Sequence, residues 1–384
     1  MALQRQDAAA RDGLRHLERG RRAGHAPAVA DLDQHPARSD QIHGSTLDAC
    51  PFGIDGSVPV FDRIVAASEA ARMDIRKRFL TVTGGVAVAL AVAISGCAAS
   101  SLTPAQAAPA SQSAAASSAS ASSTSSTQRA FAELERTHGA TLGVTAIDTG
   151  NGRTVAYRGG ERFPFASSNK TFIAAALLGR SSDADLDQVV HYTSADLLDY
   201  APITSRFVDT GMTVRELIDA MLRFSDNTAA NLLVARLGGP DAVEQWLRGI
   251  GDRTTNVDRV EPDLNEALPG DARDTTTPAQ FASDLRAVLL GSALETKDRT
   301  LLRNTMLDNT TGDDTIRAGV DPAWPVADKT GTGEYGVRDD IAVVYPVGRA
   351  PIVVVTLSRK ATPDATPDNA LLAAATKTAV AALR

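Results

Sequence analysis

Predicted strands lie at both ends of the region 127–384, and predicted helices lie between them. Strands so far apart in a chain fit one antiparallel, five-stranded sheet that is built from both ends. Helical spacing of apolar residues in the middle predicts a separate group of helices. The pattern therefore predicts an α+β fold with two lobes: a sheet lobe, 127–165 and 307–384, flanked by helices, and an all-helical lobe, 166–306. The predicted strands are 142–148, 153–158, 327–332, 340–345 and 352–358, and the predicted helices are 128–138, 170–178, 214–223, 228–237, 278–290 and 367–384.

The chain before this region carries the parts of an export signal. Three basic residues at 76–78 precede an apolar run that ends at Ile94-Ser95-Gly96-Cys97. This ending resembles the lipobox of a bacterial lipoprotein, in which the cysteine becomes the lipidated first residue. We therefore interpret residues 73–97 as a signal peptide for the Sec or the twin-arginine route, and Cys97 as the membrane anchor of an exported protein. An uncleaved membrane helix is the alternative interpretation.

Two neighbouring segments have compositions that predict no folded core. Residues 1–72 contain no lysine, and Met73 stands directly before the signal. We interpret them as an extension created by a start site placed too far upstream, or as a disordered cytoplasmic tail. Residues 98–126 are mostly Ala and Ser and are interpreted as a flexible linker.

The composition excludes several classes of protein. A net charge of −7 argues against a nucleic-acid partner, because binding of phosphates needs a basic surface. The cysteines and histidines nowhere have the spacing of a zinc site. Beyond residue 43 the only histidines are His138 and His191. The sequence therefore predicts no metal site, and it does not favour a Ser-His-Asp enzyme.

Ser167 and Lys170 stand at the start of a predicted helix. Residues three apart share one face of a helix, so the lysine amine can lie beside the serine hydroxyl. The free N–H groups of a first helical turn also suit the stabilisation of an oxyanion. A serine nucleophile needs a base to take its proton, and lysine is the candidate here. This pair alone equally fits a capped helix with a surface lysine.

Two further polar motifs lie later in the chain. Ser225-Asp226-Asn227 joins two predicted helices, and a simple helix cap would explain it equally well. The segment 329–333, Lys-Thr-Gly-Thr-Gly, lies on a predicted strand, where lysine is disfavoured and glycines allow a ligand to approach the backbone. Only six lysines occur in the chain. Two of them, Lys170 and Lys329, fall within these motifs.

Together and in this order, the three motifs resemble those of the class A serine β-lactamases. Penicillin-binding transpeptidases and D,D-peptidases share all three motifs, so a fourth feature must separate the families. That feature is an Arg-x-Glu-x-x-Leu-Asn pattern at 259–265, followed by Asp274, which resembles the omega loop of the class A enzymes. The resemblance implies an ion pair between Arg259 and Asp274 and a deacylating water held by Glu261 and Asn265. Glu261-Pro262 is also a candidate cis peptide bond.

The resemblance also implies a role for each site residue. Ser167 would attack the β-lactam carbonyl with Lys170 or Glu261 as base, and Ser225 would pass a proton to the departing nitrogen. Backbone N–H groups of Ser167 and Thr332 would form the oxyanion hole. Positions matching Arg338 and Tyr200 hold a carboxylate-binding arginine and an aromatic residue at the pocket mouth. The implied catalytic residues are Ser167, Lys170, Ser225 and Glu261, and the implied substrate-binding residues are Asn227, Asn265, Lys329, Thr330, Gly331, Thr332, Arg338 and Tyr200.

The resemblance implies a monomeric enzyme that acts on small β-lactams without a cofactor or metal. Two departures from the family are visible. Ala166 and Gly333 stand where some carbapenem-hydrolysing members form a disulfide, and Asn169 is an unusual residue between the catalytic serine and lysine. Two alternatives remain from the residues: a D,D-peptidase or transpeptidase, and a sensor that stays acylated. The Glu261 and Asn265 pair argues against both.

Overall fold

The computed structural model describes residues 113–384, with side chains from residue 125 onward. Its long elements follow the predicted order of strand pair, helices and three strands. The helices are α1 (Ser113–His138), α2 (Lys170–Leu178), α3 (Asp183–Leu186), α4 (Val214–Phe224), α5 (Asn227–Leu237), α6 (Pro240–Gly249), α7 (Pro278–Leu289), α8 (Thr296–Leu307) and α9 (Asn369–Ala382). The strands are β1 (Thr141–Asp148), β2 (Thr154–Tyr157), β3 (Phe163–Pro164), β4 (Val189–Val190), β5 (Met212–Thr213), β6 (Thr275–Thr276), β7 (Val326–Thr332), β8 (Arg338–Val344) and β9 (Ile352–Arg359).

The main sheet has five strands in the order β2-β1-β9-β8-β7. Every pair in it is antiparallel, and β9 joins the N-terminal hairpin to the C-terminal strands. The α+β fold with one sheet built from both ends is therefore confirmed. Short pairs β3–β6 and β4–β5, which have too few residues for a visible alternation, were not predicted.

The two faces of the main sheet pack against different helices. Val353 and Leu357 of β9 lie in a core with Phe172 and Phe281 of the helical lobe. Val354, between them in the chain, lies in a second core with Phe131 of α1 and with α9. Because successive side chains of a strand point to opposite faces, this alternation places α1 and α9 on one face and the helical lobe on the other.

The N-terminal helix is longer than predicted. We predicted a helix from residue 128, whereas α1 begins at Ser113, inside the Ala/Ser segment interpreted as a linker. Alanine has the highest helix propensity, so a helix that packs through Phe131 can continue back into such a segment. The signal, the lipobox and residues 1–72 lie outside the described residues. Within 113–384, no helix is long and apolar enough to cross a membrane.

Candidate active site

Ser167 lies in a turn of 3-10 helix, Ala166–Asn169, which leads directly into α2. Ala166 has a left-handed backbone with φ of 42°. The turn packs closely on β7: a Cβ on Gly331 would lie 2.9 Å from the Phe165 carbonyl oxygen and 3.1 Å from the Ser168 nitrogen. Glycine at 331 thus allows the strand to approach the backbone that carries the serine.

Ser167, Lys170 and Glu261 meet in one buried cluster. Ser167 Oγ donates a hydrogen bond to Glu261 Oε1 at 3.0 Å. Lys170 Nζ forms an ion pair with the same oxygen at 2.9 Å. Burial acts to raise the pKa of Glu261, but the Lys170 ammonium and hydrogen bonds from Asn265 and Ser167 outweigh it and lower that pKa. The carboxylate is therefore ionised and able to accept a proton at neutral pH.

The segment 259–274, here named the omega loop, presents Glu261 to this cluster. Arg259 Nε pairs with Asp274, and backbone N–H groups of Asp258 and Arg259 donate to the same Asp274 carboxylate. The Glu261-Pro262 bond is cis, as predicted. Asn265 donates its side-chain N–H to Glu261 Oε2. The structure thus has the predicted ion pair between Arg259 and Asp274, and it places Asn265 beside Glu261 as expected.

Asn231 of α5 was missed by the sequence interpretation. Its side chain accepts from the Glu261 backbone N–H at 3.0 Å and donates to the Glu261 carbonyl at 2.7 Å. A buried amide that binds both backbone groups of one residue fixes that residue in place. An asparagine inside the apolar run of a buried helix was the only signal that could have identified it.

Ser225 connects the two lysines. It ends α4 in a left-handed conformation with φ of 58°. Lys329 Nζ donates to Ser225 Oγ at 3.1 Å, while Lys170 Nζ lies 2.8 Å from the Ser225 carbonyl and 3.4 Å from the same Oγ. Asp226 holds the turn, because its buried carboxylate accepts from Thr204 and caps α5 at the Ala229 N–H.

Asn227 and Tyr200 lie together at the edge of the cluster. Asn227 Oδ1 accepts from Lys170 Nζ at 2.7 Å, and the Asn227 backbone N–H donates to the Tyr200 carbonyl at 3.1 Å. Tyr200 has a φ of 62° and a side chain that is 40% exposed. An exposed aromatic ring beside a buried polar site is in keeping with the predicted position at the pocket mouth.

Lys329 is completely buried in β7. Burial, and then the charge of Lys170, lower the pKa of Lys329 well below its usual value. Behind it, Asp328 pairs with Arg317 at 2.7 Å and accepts from Asn309. Burial and Asp340 nevertheless raise the pKa of Asp328 to about 7. Lys329 is therefore a stronger acid than an exposed lysine, and this property suits a group that passes on a proton.

Arg338 begins β8 opposite Thr332 of β7. Its guanidinium donates to Thr332 Oγ1 at 3.1 Å, to the Thr311 carbonyl at 3.2 Å and to Asn369 Oδ1 at 2.6 Å. Thr330 Oγ1 also bonds Thr311 Oγ1. Asn369, which starts α9, was a second residue missed from sequence. The arrangement gathers hydroxyls and a guanidinium at one end of the site, where they can bind a carboxylate.

Every sequence-predicted site residue thus lies in or beside one cluster. Among residues 113–384, no group of three or more His, Cys, Asp or Glu side chains could hold a metal ion. Chemically, the cluster has a serine hydroxyl, an ionised carboxylate within hydrogen-bonding distance of it, and two lysines that share a second serine. This arrangement suits acyl transfer followed by attack of water.

Comparison with known proteins agrees with this chemistry. The sequence model described as the β-lactamase enzyme family matches residues 126–383. The chain is 54% identical over 255 residues to β-lactamase AST-1 of Nocardia asteroides, which covers 66% of this chain and 82% of that protein. It is 50% identical over 254 residues to a β-lactamase of Bacillus amyloliquefaciens, covering 66% of this chain and 83% of the relative.

A crystal structure shares the fold as well. A β-lactamase from Desulfarculus baarsii superposes with a TM-score of 0.67 at 41% identity, covering 68% of this chain and 98% of that one.

Proposed function

The chain belongs to the class A serine β-lactamases, enzymes that hydrolyse β-lactams and give resistance to them, and we propose that it does so through an acyl-enzyme on Ser167. The observation that carries this proposal is the hydrogen bond from Ser167 Oγ to Glu261 Oε1 at 3.0 Å. A base in direct contact with the hydroxyl can take its proton as the oxygen attacks the ring carbonyl. Lys170, 2.9 Å from the same carboxylate oxygen, is the alternative base.

The position of Ser167 suits stabilisation of the tetrahedral intermediate. The serine stands in the first turn before α2, where backbone N–H groups point out of the helix. We propose that the N–H groups of Ser167 and Thr332 form the oxyanion hole. Gly331 supports this role, because it lets β7 approach the turn.

Protonation of the departing ring nitrogen is assigned to Ser225. Its Oγ lies 3.1 Å from Lys329 Nζ, and burial makes that lysine a weaker base than usual, so its ammonium gives up a proton more readily. The proton passes from Ser225 Oγ to nitrogen, and Lys329 or Lys170 restores the hydroxyl. This relay needs no histidine.

Substrate binding is assigned to the two ends of the site. Thr330, Thr332 and Arg338, with Lys329, bind the carboxylate that penicillins and cephalosporins carry beside the ring. Asn227 hydrogen-bonds the acylamino side chain, and Tyr200 borders the mouth. The short hydrogen bond from Arg338 to Asn369 supports a fixed guanidinium.

Deacylation is assigned to Glu261 and Asn265. After acylation, Glu261 activates a water molecule that attacks the ester, and Asn265 helps to hold that water. The ionised carboxylate of Glu261 and the fixation of the Glu261 backbone by Asn231 support the role. A D,D-peptidase or a sensor that stays acylated would not need a base that activates this water.

Export and anchoring are proposed from the N-terminal sequence and from family membership. We propose a signal at 73–97, lipidation of Cys97, and a catalytic domain at 127–384 that works as a monomer. Labelling with a radioactive fatty acid should be lost in Cys97→Ala.

The test of the proposed activity is turnover of a chromogenic cephalosporin by purified protein. We expect many turnovers per molecule in the wild type and none in Ser167→Ala. One equivalent of product without further turnover would indicate a sensor. Release of D-alanine from an acyl-D-Ala-D-Ala peptide without cephalosporin turnover would indicate a peptidase.

A further inference from the structure

A small cavity lies between α2 and the omega loop, behind the catalytic cluster. Most of its lining is apolar, including Ile173, Val234 and Leu264, which are all buried. The space in this cavity that is open to water is about 10 Å³. That volume is enough for one water molecule and too small for an organic ligand.

Asn169 is a polar residue in this lining. It is only 2% exposed, and its Oδ1 accepts no hydrogen bond from any residue that the structure describes. A buried carbonyl oxygen without a partner is costly, and native proteins nearly always satisfy such groups with protein or ordered water. An ordered water molecule in the cavity that Asn169 lines would satisfy this oxygen.

Glu261 also lines this cavity. Its carboxylate already receives hydrogen bonds from Ser167 and Asn265 and the ion pair from Lys170. Two carboxylate oxygens offer about four acceptor positions in total, so one more donor can be accommodated.

We propose that this cavity binds one water molecule, which donates one hydrogen bond to Asn169 Oδ1 and the other to the Glu261 carboxylate. Asn169 is then a positioning residue that acts on the catalytic base through water. This water differs from the deacylating one, because Ser167 and Asn265 do not line the cavity. The catalytic consequence rests on the proposed function, whereas the binding of water does not.

Loss of the water should weaken the ionised form of Glu261, since a donated hydrogen bond favours a carboxylate over a carboxyl group. The other groups that face Glu261 are the ammonium of Lys170 on α2, the amides of Asn231 on α5 and Asn265, and the hydroxyl of Ser167. Arg259 on the loop is paired with Asp274 and Glu266.

The direct test is a crystal structure of the wild-type protein at a resolution that shows ordered water. We expect one water within hydrogen-bonding distance of Asn169 Oδ1 and of Glu261. A dry cavity, or a water bound to only one of the two, would overturn the proposal. This result does not depend on activity, so it separates the proposal from the proposed function.

The kinetic test compares Asn169→Leu, which keeps the branching at Cγ but removes the acceptor, with Asn169→Ser, whose hydroxyl can still bind water. We expect deacylation about tenfold slower in the leucine variant, the fold-change of one hydrogen bond to a charged group. The acid limb of deacylation should move to higher pH, and the acid limb of acylation should move in the same direction, because Glu261 is also the proposed base of that step. The serine variant should stay within about threefold of wild type in both steps.

An unchanged pH profile and deacylation rate in Asn169→Leu, or an equal loss in both variants, would contradict the role. If the leucine variant does not fold, the crystal structure and the serine variant still decide. A wild-type protein that is never acylated would refute the proposed function. The binding of the water would then be tested by the crystal structure alone.

Discussion

Lys170 Nζ lies 2.9 Å from Glu261 Oε1, and both side chains are almost fully buried. Two buried charges depend on each other, because removal of one leaves the other unpaired in a medium of low polarity. The pair therefore acts as one unit. This mutual dependence, more than either residue alone, sets the protonation state of the site.

Lys170→Met should disable that unit through Glu261. The Lys170 charge opposes the effect of burial and lowers the pKa of Glu261, so its removal should raise that pKa. Ionised Glu261 stabilises the wild-type protein at pH values above the ordinary glutamate pKa. This stabilisation is lost as the pH falls through the lowered pKa that Glu261 has in the folded protein. We expect the variant to lack this stabilisation. We also expect its acylation rate to fall at least about 100-fold. Unfolding between pH 3 and 8 and stopped-flow kinetics measure both.

Lys297→Met is the matched control. Lys297 pairs with Asp298, but its own side chain is 48% exposed. Its removal should change stability by less than about 0.5 kcal/mol and leave kinetics unchanged. Equal effects of the two substitutions would contradict a special role for the buried pair.

Arg259→Ala should loosen the omega loop. Asp274 is buried and would lose its cation while keeping the two backbone hydrogen bonds at 2.9 and 3.0 Å. Breaking such a pair costs about 3–5 kcal/mol. We expect lower thermal stability and a larger loss in deacylation than in acylation. Arg273→Ala, which removes an arginine that is 49% exposed, should leave both steps intact; a comparable loss there would count against the loop account.

Gly331→Ala should damage the site by contact alone. The new Cβ would meet the Phe165 carbonyl oxygen at 2.9 Å and the Ser168 nitrogen at 3.1 Å, and backbone atoms cannot move aside cheaply. We expect a loss of about 1–3 kcal/mol in unfolding free energy and a reduced kcat/KM. At Gly160 nothing lies within 4 Å of an added Cβ, so Gly160→Ala should match the wild type.

Asp284→Asn should stabilise the protein at neutral pH. Burial, and then the nearby Asp252, raise the pKa of Asp284 to about 8. Because its pKa in the unfolded chain is near 4, folding takes up a proton between about pH 4 and 8, and stability falls as pH rises through that range. The variant removes this penalty, so we expect a gain of at least about 1.4 kcal/mol at pH 8, the worth of one pKa unit, and none at pH 3. Urea unfolding at the two pH values checks it, and a gain of equal size at pH 3 would argue against the proton-linked cause.

The sequence predicted well those features that depend on residue type and on neighbours close in the chain. Ser167 and Lys170 are three residues apart at the start of a helix, so their spacing already predicts that they lie side by side. The pairing of Arg259 with Asp274 and the place of Asn265 beside Glu261 were predicted from the resemblance to the class A family. The alternation in β7 to β9 likewise predicted the sheet. Such features depend on neighbours within one or two elements.

Residues that reach the site from other elements were predicted only where they belong to a motif of the family, as Ser225 and Lys329 do. Asn231 and Asn369 look like ordinary helix residues until packing brings α5 to Glu261 and α9 to Arg338. The cavity behind Asn169 also depends on how three elements meet. The predicted start of α1 was wrong, because composition alone does not distinguish an Ala/Ser linker from an Ala/Ser helix.

The most direct test of the account is the intact mass of Glu261→Ala after mixing with a cephalosporin. In Glu261→Ala, Lys170 remains as the alternative base for acylation, whereas no base remains for deacylation. We therefore expect a stable adduct, and digestion should place it on the peptide that contains Ser167. The wild type should return to its free mass once substrate is consumed. No adduct in the variant, an adduct on another residue, or turnover by the variant at the wild-type rate would contradict the account.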